Sequence, residues 1–157
     1  MKITLLTVGA TDVAWVKQGL ELYSSRLSHY VGFSVKEIPE LKGAASLSRD
    51  QIKEKEGELI LKSARPSDHL VLLDEHGREL RSIEFAERLQ NHMNTLGKDL
   101  VFVVGGAYGF SPAVYARANG KISLSKMTFS HQMVRAVFAE QLYRAFTIIR
   151  GEPYHHE

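Results

Sequence analysis

The chain has no cysteine among its 157 residues, which excludes disulfides, thiolate metal sites and cysteine nucleophiles. That absence makes a reducing cytoplasm the expected location. No apolar run is long enough to cross a bilayer, so we expect no membrane segment. The first residues also lack the apolar block and cleavage site of a secretory signal, because a single lysine leads directly into a strand-like run.

Acidic residues are missing from one long segment. No Asp or Glu occurs between Leu100 and Ala139, where these residues with basic side chains are found: Arg117, Lys121, Lys126, His131 and Arg135. One explanation is packing, because buried strands and core-facing helix turns lack acidic residues in any case. The alternative is that the segment binds a ligand, and that its positive electrostatic field favours a phosphate or carboxylate group. The net charge of +2 permits a polyanionic partner without requiring one.

Strand-like and helical patterns alternate along the chain. Strands are predicted at residues 2–8, 33–38, 69–74, 100–104 and 121–124. The helical patterns between them end near residues 30, 64, 96 and 149, and a further helix opens at residue 111. This alternation predicts an α/β fold, a mostly parallel sheet with helices on both faces, in one domain of residues 1–157.

Several short signals mark where these elements begin and end. Ser48 and Gln51 have the spacing of a capping box, and Ser111-Pro112 suits a helix start. Asp12 and Ser82 are predicted as N-caps of two other helices. Residues 75–78 are predicted to form a turn, and residues 151–157 a non-helical tail.

Ligands in open parallel sheets bind outside the carboxyl ends of the strands, so the loops after Leu73, Val104 and Leu124 are the places to search. The loop Gly105-Gly106-Ala107-Tyr108-Gly109 has the spacing G-G-x-x-G, which fits neither the dinucleotide fingerprint nor a phosphate-binding loop. It either serves sheet-to-helix packing alone or lets backbone groups approach a ligand closely.

The loop of residues 124–129 alternates apolar and hydroxyl side chains without strong charge. Such a loop could wrap an uncharged heterocycle, with apolar walls and main-chain polar groups at the ligand edge. The alternative is a plain connection between a strand and a helix.

The last helix has its apolar side chains at helical spacing: Val134, Val137, Phe138, Leu142 and Phe146. The charged side chains are predicted elsewhere around the helix: Arg135, Glu140, Arg144 and Arg150. Tyr143 and Phe146 add apolar surface that a second subunit would cover. Arg144 is either a surface charge or a phosphate anchor.

The tail ends in an aromatic residue followed by two histidines. Adjacent side chains point apart, so His155 and His156 are not expected to share a metal ion, and no metal site is predicted. A frayed terminus is the simplest interpretation. The alternative is that Tyr154 and the imidazoles form a surface that stacks on an unpaired base.

Four stretches occur together and carry a family resemblance: LLDEHG, VVGGAYGFSP, ISLSKMTFSHQMVRAVFAEQLYRAF and PYHHE. The chain resembles, over its whole length, the ribosomal RNA large-subunit methyltransferase H proteins, which are SPOUT methyltransferases. The resemblance implies an α/β-knot fold with a C-terminal trefoil knot, and a homodimer. Knotted chains are rare exceptions to the rule against threading.

The resemblance also implies a methyl donor, S-adenosyl-L-methionine, held at the carboxyl edge of the sheet. The positions that match the binding residues of the family are Leu73, Gly105, Leu124, Ser125, Lys126, Met127, Thr128 and Phe129. Such a donor needs neither a phosphate cradle nor a magnesium site.

The implied reaction is methylation of N3 of a pseudouridine in 23S ribosomal RNA on the assembled 70S ribosome. The candidate catalytic residues are Arg144, Tyr154 and His155. His155 is a candidate base at neutral pH, and Arg144 would instead favour the N3 anion electrostatically. Two other functions stay open: a SPOUT enzyme that acts on transfer RNA or another RNA site, and a non-catalytic nucleotide-binding module of flavodoxin-like form.

Overall fold

A computed structural model of the chain describes all 157 residues. Its centre is a five-stranded parallel sheet, in the order β2-β1-β4-β3-β5. The strands are β1 (Lys2–Val8), β2 (Gly32–Ile38), β3 (His69–Glu79), β4 (Leu100–Val104) and β5 (Gly120–Ser123). The predicted α/β class and parallel sheet are confirmed.

Five helices cover both faces of the sheet: α1 (Ala14–Leu27), α2 (Arg49–Ser63), α3 (Ser82–Thr95), α4 (Pro112–Arg117) and α5 (Met133–Ile149). Successive side chains of β4 point to opposite faces, because Phe102 packs in one core with α1, α3 and α5, and Val103 packs in the other with α2 and α4. All five residues of β4 are buried, which explains its uninterrupted apolar sequence. No helix of the structure has both the length and the apolar character to cross a bilayer.

Two of the predicted helix starts are confirmed. The Gln51 amide donates to Ser48 Oγ at 3.2 Å, and the Ser48 amide donates to Gln51 Oε1 at 2.9 Å, which completes the capping box of α2. The Ser111 hydroxyl accepts a hydrogen bond from the Val114 amide at 3.3 Å at the start of α4. A short 3-10 helix, Ala44–Ser46, lies in the loop that precedes α2.

The other two predicted caps are wrong. Val13 precedes α1 without a side-chain cap, and the Asp12 amide instead donates to Gln132 Oε1 at 3.0 Å, next to α5. Ser82 is already the first residue of α3, and its hydroxyl donates to Gln141 Oε1 at 3.1 Å. At α1 a contact with Gln132, just before α5, takes the place of the predicted cap. At α3 the local bond lies one residue earlier than predicted, where the Arg81 amide donates to Glu84 Oε1 at 2.9 Å.

The predicted turn at residues 75–78 is also wrong, because β3 continues to Glu79. The pairing of β3 with β5 shifts register between Leu73 and Arg78, both of which align with Ile122. A Cβ atom at Gly77 would lie 2.6 Å from the Ile122 carbonyl carbon. Gly77 therefore lets two backbones approach each other within the sheet rather than reversing the chain.

The surface expected to meet a second subunit is largely used within the chain. Phe146 is buried in the core. Tyr143 packs against Tyr23, Tyr30 and Tyr154, with ring centroids 4.7–6.0 Å apart. The large apolar side chains that remain exposed on the same side of the sheet are elsewhere: Trp15, Leu22, Ile83 and Met133.

The close approach at Gly77 yields a stability prediction. Gly77→Ala should destabilise the chain by roughly 1–3 kcal/mol, because the added methyl group meets backbone that cannot move without disturbing β5. Denaturant unfolding measures this change. Gly120→Ala, in the neighbouring strand β5, is the matched control: no atom lies within 4 Å of the added Cβ, so the stability of this variant should stay within about 1 kcal/mol of the parent. Equal losses in the two variants would contradict this account of Gly77.

Candidate functional site

A cavity of about 390 Å³ opens at the carboxyl edge of the sheet, beside the ends of β4 and β5 and the middle of β3. Its walls come from residues 73–75 of β3, the glycine loop after β4, and residues 123–131 at and after the end of β5, together with Val134 of α5. Loops at this edge of a parallel sheet converge because all the strands point the same way. We call this space the edge cavity.

The edge cavity brings together seven of the eight residues predicted to bind the donor: Leu73, Gly105, Leu124, Ser125, Met127, Thr128 and Phe129. Lys126 belongs to the same loop but is exposed and does not line the cavity. The three predicted segments therefore meet at one place, although residues 73–75 belong to β3 and do not form a loop. The Lys126 side chain lies outside the cavity.

The loop of residues 123–129 is held in shape by its own hydroxyl groups. The Ser123 hydroxyl donates to the Ser125 carbonyl at 2.8 Å, and the Ser125 hydroxyl accepts from the Met127 amide at 3.0 Å. The hydroxyls are thus occupied within the loop, and the Leu124 and Phe129 side chains contribute apolar wall. This surface suits a flat, uncharged ring.

Gly105, in the glycine loop, forms part of the wall of the edge cavity, and it leaves no side chain between the backbone and Phe110. A Cβ at this position would lie 3.0 Å from the ring of Phe110, which itself lines the cavity. Gly109 has φ +85°, a left-handed conformation that favours glycine and turns the loop back toward α4. The packing role considered from the sequence is therefore present, since Gly105 lies against Phe110, and the loop also forms part of the cavity wall.

Carboxylates, rather than cations, stand at one side of the cavity. Asp74 and Glu75 line it, and Asp74 Oδ2 accepts a hydrogen bond from the Tyr115 hydroxyl at 2.6 Å. Burial, with the bond to Asp74, raises the pKa of Tyr115.

Of the basic residues in the acid-free segment, only His131 lines the edge cavity. Lys126 is exposed outside it, Arg135 is buried beside it, and Arg117 donates to the carbonyls of Arg65 and Asp68. The cations of that segment are therefore dispersed rather than gathered around the cavity.

Arg135 is the main residue that sequence reasoning misplaced. It was predicted away from the core, yet its side chain has 0% exposure. Its guanidinium donates to the carbonyls of Val8 and Gly9 at 3.0 Å each, and to Thr11 Oγ1 at 2.8 Å. Its spacing to Phe138 and Leu142 is the core spacing of a helix, and this signal was available from the sequence.

Arg135 also fixes the segment that lines the cavity. Its Nε donates to the His131 carbonyl at 2.9 Å, which ties the last residues of that segment to the end of β1. The Glu37 carboxylate lies 3.7 Å from the guanidinium and accepts a bond from the Thr11 amide. Burial lowers the pKa of Arg135, an effect that the nearby carboxylates oppose. The guanidinium therefore joins β1, β2 and α5 beside the site.

The three predicted catalytic residues lie together at the far half of α5. Arg144 Nη1 and His155 Nδ1 are 3.1 Å apart, and Arg144 stacks on the ring of Tyr154 at 4.7 Å. Glu140, which was not predicted, joins them: its Oε1 accepts from Arg144 Nη2 at 2.5 Å and from the Tyr154 hydroxyl at 2.9 Å. Burial, with hydrogen bonds to Tyr23 and Glu140, raises the pKa of Tyr154. We call these four residues the tail cluster.

The tail is consequently ordered rather than frayed. His155 Nε2 lies 2.8 Å from Glu157 Oε2, and the Glu157 carboxylate also accepts from Arg81 at the start of α3. These contacts lower the pKa of Glu157, with the bond to His155 as the largest cause. The tail folds back along α5, where its polar groups find partners that a sequence pattern does not show.

The edge cavity and the tail cluster are separate within one chain. None of the tail cluster lines the cavity. Val134, which does line it, precedes Arg144 by ten residues of continuous helix. At 1.5 Å per residue that is a separation of about 15 Å along α5.

A family model described as "Predicted SPOUT methyltransferase" matches residues 1–155. The chain belongs to the SPOUT methyltransferase family. The family resemblance inferred from the sequence is thereby confirmed. The edge cavity of this SPOUT chain is built from the same stretches that carried the resemblance.

Curated relatives match the SPOUT chain from end to end. Three of them are named "Ribosomal RNA large subunit methyltransferase H". The protein of Bacteroides thetaiotaomicron is 58% identical and that of Parabacteroides distasonis 56% identical, each over 157 residues and 100% of both chains. The protein of Christiangramia forsetii is 55% identical over 156 residues, or 99% of both chains.

The buried guanidinium of this SPOUT chain yields a second prediction. Arg135→Met should cost about 3 kcal/mol or more, because the Val8 carbonyl would lose the guanidinium donor and the Gly9 carbonyl would keep only the 3.4 Å bond from the Thr7 hydroxyl. Arg88→Met, at an exposed position of α3, should change stability by about 0.5 kcal/mol or less. Denaturant unfolding of both variants checks the difference. A loss at Arg135 no larger than that at Arg88 would show that the guanidinium does not hold β1 to α5.

Proposed function

We propose that the chain is an S-adenosyl-L-methionine-dependent methyltransferase that modifies N3 of a pseudouridine in 23S ribosomal RNA on the assembled 70S ribosome. We also propose that it works as a homodimer in the cytoplasm, with the segment after β5 threaded into the trefoil knot that its family resemblance implies. The observation that carries the proposal is the edge cavity, in a chain whose end-to-end relatives are named for ribosomal RNA methylation.

The edge cavity fits the proposed donor. Its apolar walls at Leu73, Leu124 and Phe129 suit a neutral adenine ring, and the missing side chain at Gly105 leaves room beside Phe110. Asp74 and Glu75 are compatible with the positive charge that the donor carries at its sulfonium and amino groups. When bound, S-adenosyl-L-methionine supplies an electrophilic methyl group. Lys126 lies in the binding loop, and its proposed contact is through the backbone.

The tail cluster suits the acceptor side of the reaction. N3 of a pyrimidine ring must lose its proton as it accepts the methyl group. The Arg144 guanidinium would stabilise negative charge on the ring. His155 is the candidate base, and its Nδ1, which lies 3.1 Å from Arg144 Nη1, would take up the proton once the hydrogen bond from Arg144 is released. Glu140 and Tyr154 hold Arg144 in position.

The separation of these two parts supports a dimer. A residue about 15 Å along α5 from the edge cavity cannot act on a ligand bound there within the same chain. A second copy would supply its tail cluster to the cavity of the first. Exposed apolar side chains near the start of α1 and α5, Trp15 at 56% and Met133 at 42%, offer surface for such a contact.

The proposed substrate is tested by methyl transfer from labelled donor to separate samples of intact ribosomes, free subunits, naked ribosomal RNA and transfer RNA. Label should appear in intact ribosomes and be mapped to N3 of one pseudouridine in 23S ribosomal RNA. A single domain with little net charge gains RNA specificity most readily from a large preassembled surface. Label in transfer RNA alone would assign the chain to a different RNA substrate.

The shared site is tested by mixing two inactive variants. Gly105→Val should block the edge cavity, and Arg144→Ala should remove the tail cation. If each active site combines the cavity of one chain with the tail of the other, subunit exchange should restore about a quarter of the parent activity through mixed dimers. The control mixes Gly105→Val with Leu124→Asp, two cavity variants that cannot complement each other. No recovery in the first mixture, despite demonstrated exchange, would place both functions in one chain.

A further inference from the structure

A second cavity of about 390 Å³ lies behind the glycine loop, between the end of β1, the loop after β2, and α2. Its walls are mostly apolar, with Val8, Leu41, Ala44 and Ile52 among them. It shares Gly106, Ala107 and His131 with the edge cavity. We call it the rear chamber. The two spaces therefore adjoin at the glycine loop, and a ligand in one lies next to a ligand in the other.

Glu56 of α2 is the polar side chain that most needs a partner in the rear chamber. Its Oε1 is buried and has no hydrogen-bond partner. Buried acceptors in folded proteins nearly always have a donor. Glu56 lines the chamber and takes part in no side-chain hydrogen bond, so its carboxyl group has a free acceptor for a ligand there. Glu56 lies on α2, a helix with a capping box at its start, so the fold fixes the position of its backbone.

The glycine loop is shaped around this carboxylate. A Cβ at Gly106 would lie 2.6 Å from Glu56 Oε1 and 2.7 Å from Oε2, so only glycine leaves both oxygens in place. Burial, with the charge of Glu40 on the opposite wall, raises the pKa of Glu56. This contact places the Glu56 carboxyl group against Gly106, a residue that also lines the edge cavity where the donor is proposed to bind.

The chemistry of the chamber favours a neutral ring with an N–H group. Its apolar walls disfavour a hydrated phosphate or sugar, and a carboxylate can only accept hydrogen bonds when ionised. Pyrimidine imides present ring N–H donors on a flat body. Tyr108, 45% exposed, lines the chamber as well and offers a ring on which a base can stack.

We propose that the rear chamber receives the acceptor base, with the Glu56 carboxylate accepting a hydrogen bond from a ring N–H of that base. This inference rests on the proposed function, since it concerns the RNA side of the same reaction. An enzyme that acts on a nucleobase must take the base out of its stack, and the chamber gives the extruded base a place beside the donor.

Two substitutions at Glu56 test the inference. Glu56→Leu keeps the approximate shape but removes the acceptor, and Glu56→Gln keeps one acceptor oxygen without the charge. With intact ribosomes, kcat/KM for Glu56→Leu should fall by about tenfold or more, and that for Glu56→Gln should fall less. Donor affinity, measured by calorimetry, should be unchanged in both.

Thermal stability separates recognition from a structural role. Because the folded-state pKa of Glu56 is raised, ionisation of this group removes stability as the pH rises through that pKa. At neutral pH both variants should therefore melt at the parent temperature or above it. Glu54→Gln, on an exposed position of the same helix, is the matched control and should leave kcat/KM, donor affinity and melting temperature near the parent values.

Each contrary outcome is distinct. Parent kcat/KM in Glu56→Leu, with an active parent enzyme, overturns the chamber assignment and leaves the proposed function intact. Loss of donor affinity would indicate that the rear chamber binds the amino end of the donor instead of the acceptor base. A lowered melting temperature would indicate that Glu56 has a structural role. Either result overturns the inference. A parent protein that transfers no label to any RNA overturns both proposals.

Discussion

The site depends on one buried cation. The carboxyl end of β1 leaves the Val8 and Gly9 carbonyls inside the protein, where an unpaired acceptor is costly. Arg135 satisfies both carbonyls, and the same guanidinium fixes the His131 carbonyl of the segment that lines the edge cavity. A charge with no exposure persists only because each of its nitrogens has a hydrogen bond or a close carboxylate. The geometry of the cavity is thus set by packing far from its opening.

The parallel sheet then determines what the site can be. Because β3, β4 and β5 are parallel neighbours, residues 73–75 of β3 and the loops after β4 and β5, distant in sequence, border a single space. These loops present apolar walls and internally bonded hydroxyls, which suit a ligand with a neutral ring. Stronger polar groups lie to either side: the orphaned Glu56 oxygen behind the glycine loop, and the Arg144 and Glu140 pair along α5. The proposed function therefore places donor binding and proton transfer in different parts of the fold.

Much of the fold was predictable because its signals are local. Apolar or alternating runs located all five strands, although β3 extends beyond its predicted end to Glu79, and the spacing of Ser48 and Gln51 located the start of α2. The errors share a cause, since each involves a contact distant in sequence. Asp12 and Ser82, predicted as caps, instead make contacts with the α5 region, and Gly77 serves a backbone approach to Ile122 rather than a turn. The roles of Glu56 and Glu140 depend on tertiary neighbours, and no spacing rule identifies them.

Hydrogen bonds between residues that are distant in sequence also affect how the chain folds. Val8 and Arg135 are 127 residues apart, so the last helix must form and dock before the end of the first strand is fully bonded. Contacts of such high sequence separation slow folding, because chain entropy is lost before they are made. During synthesis the first strands therefore emerge with their polar ends hydrated, and the binding surface is completed only after nearly the entire polypeptide has left the exit tunnel.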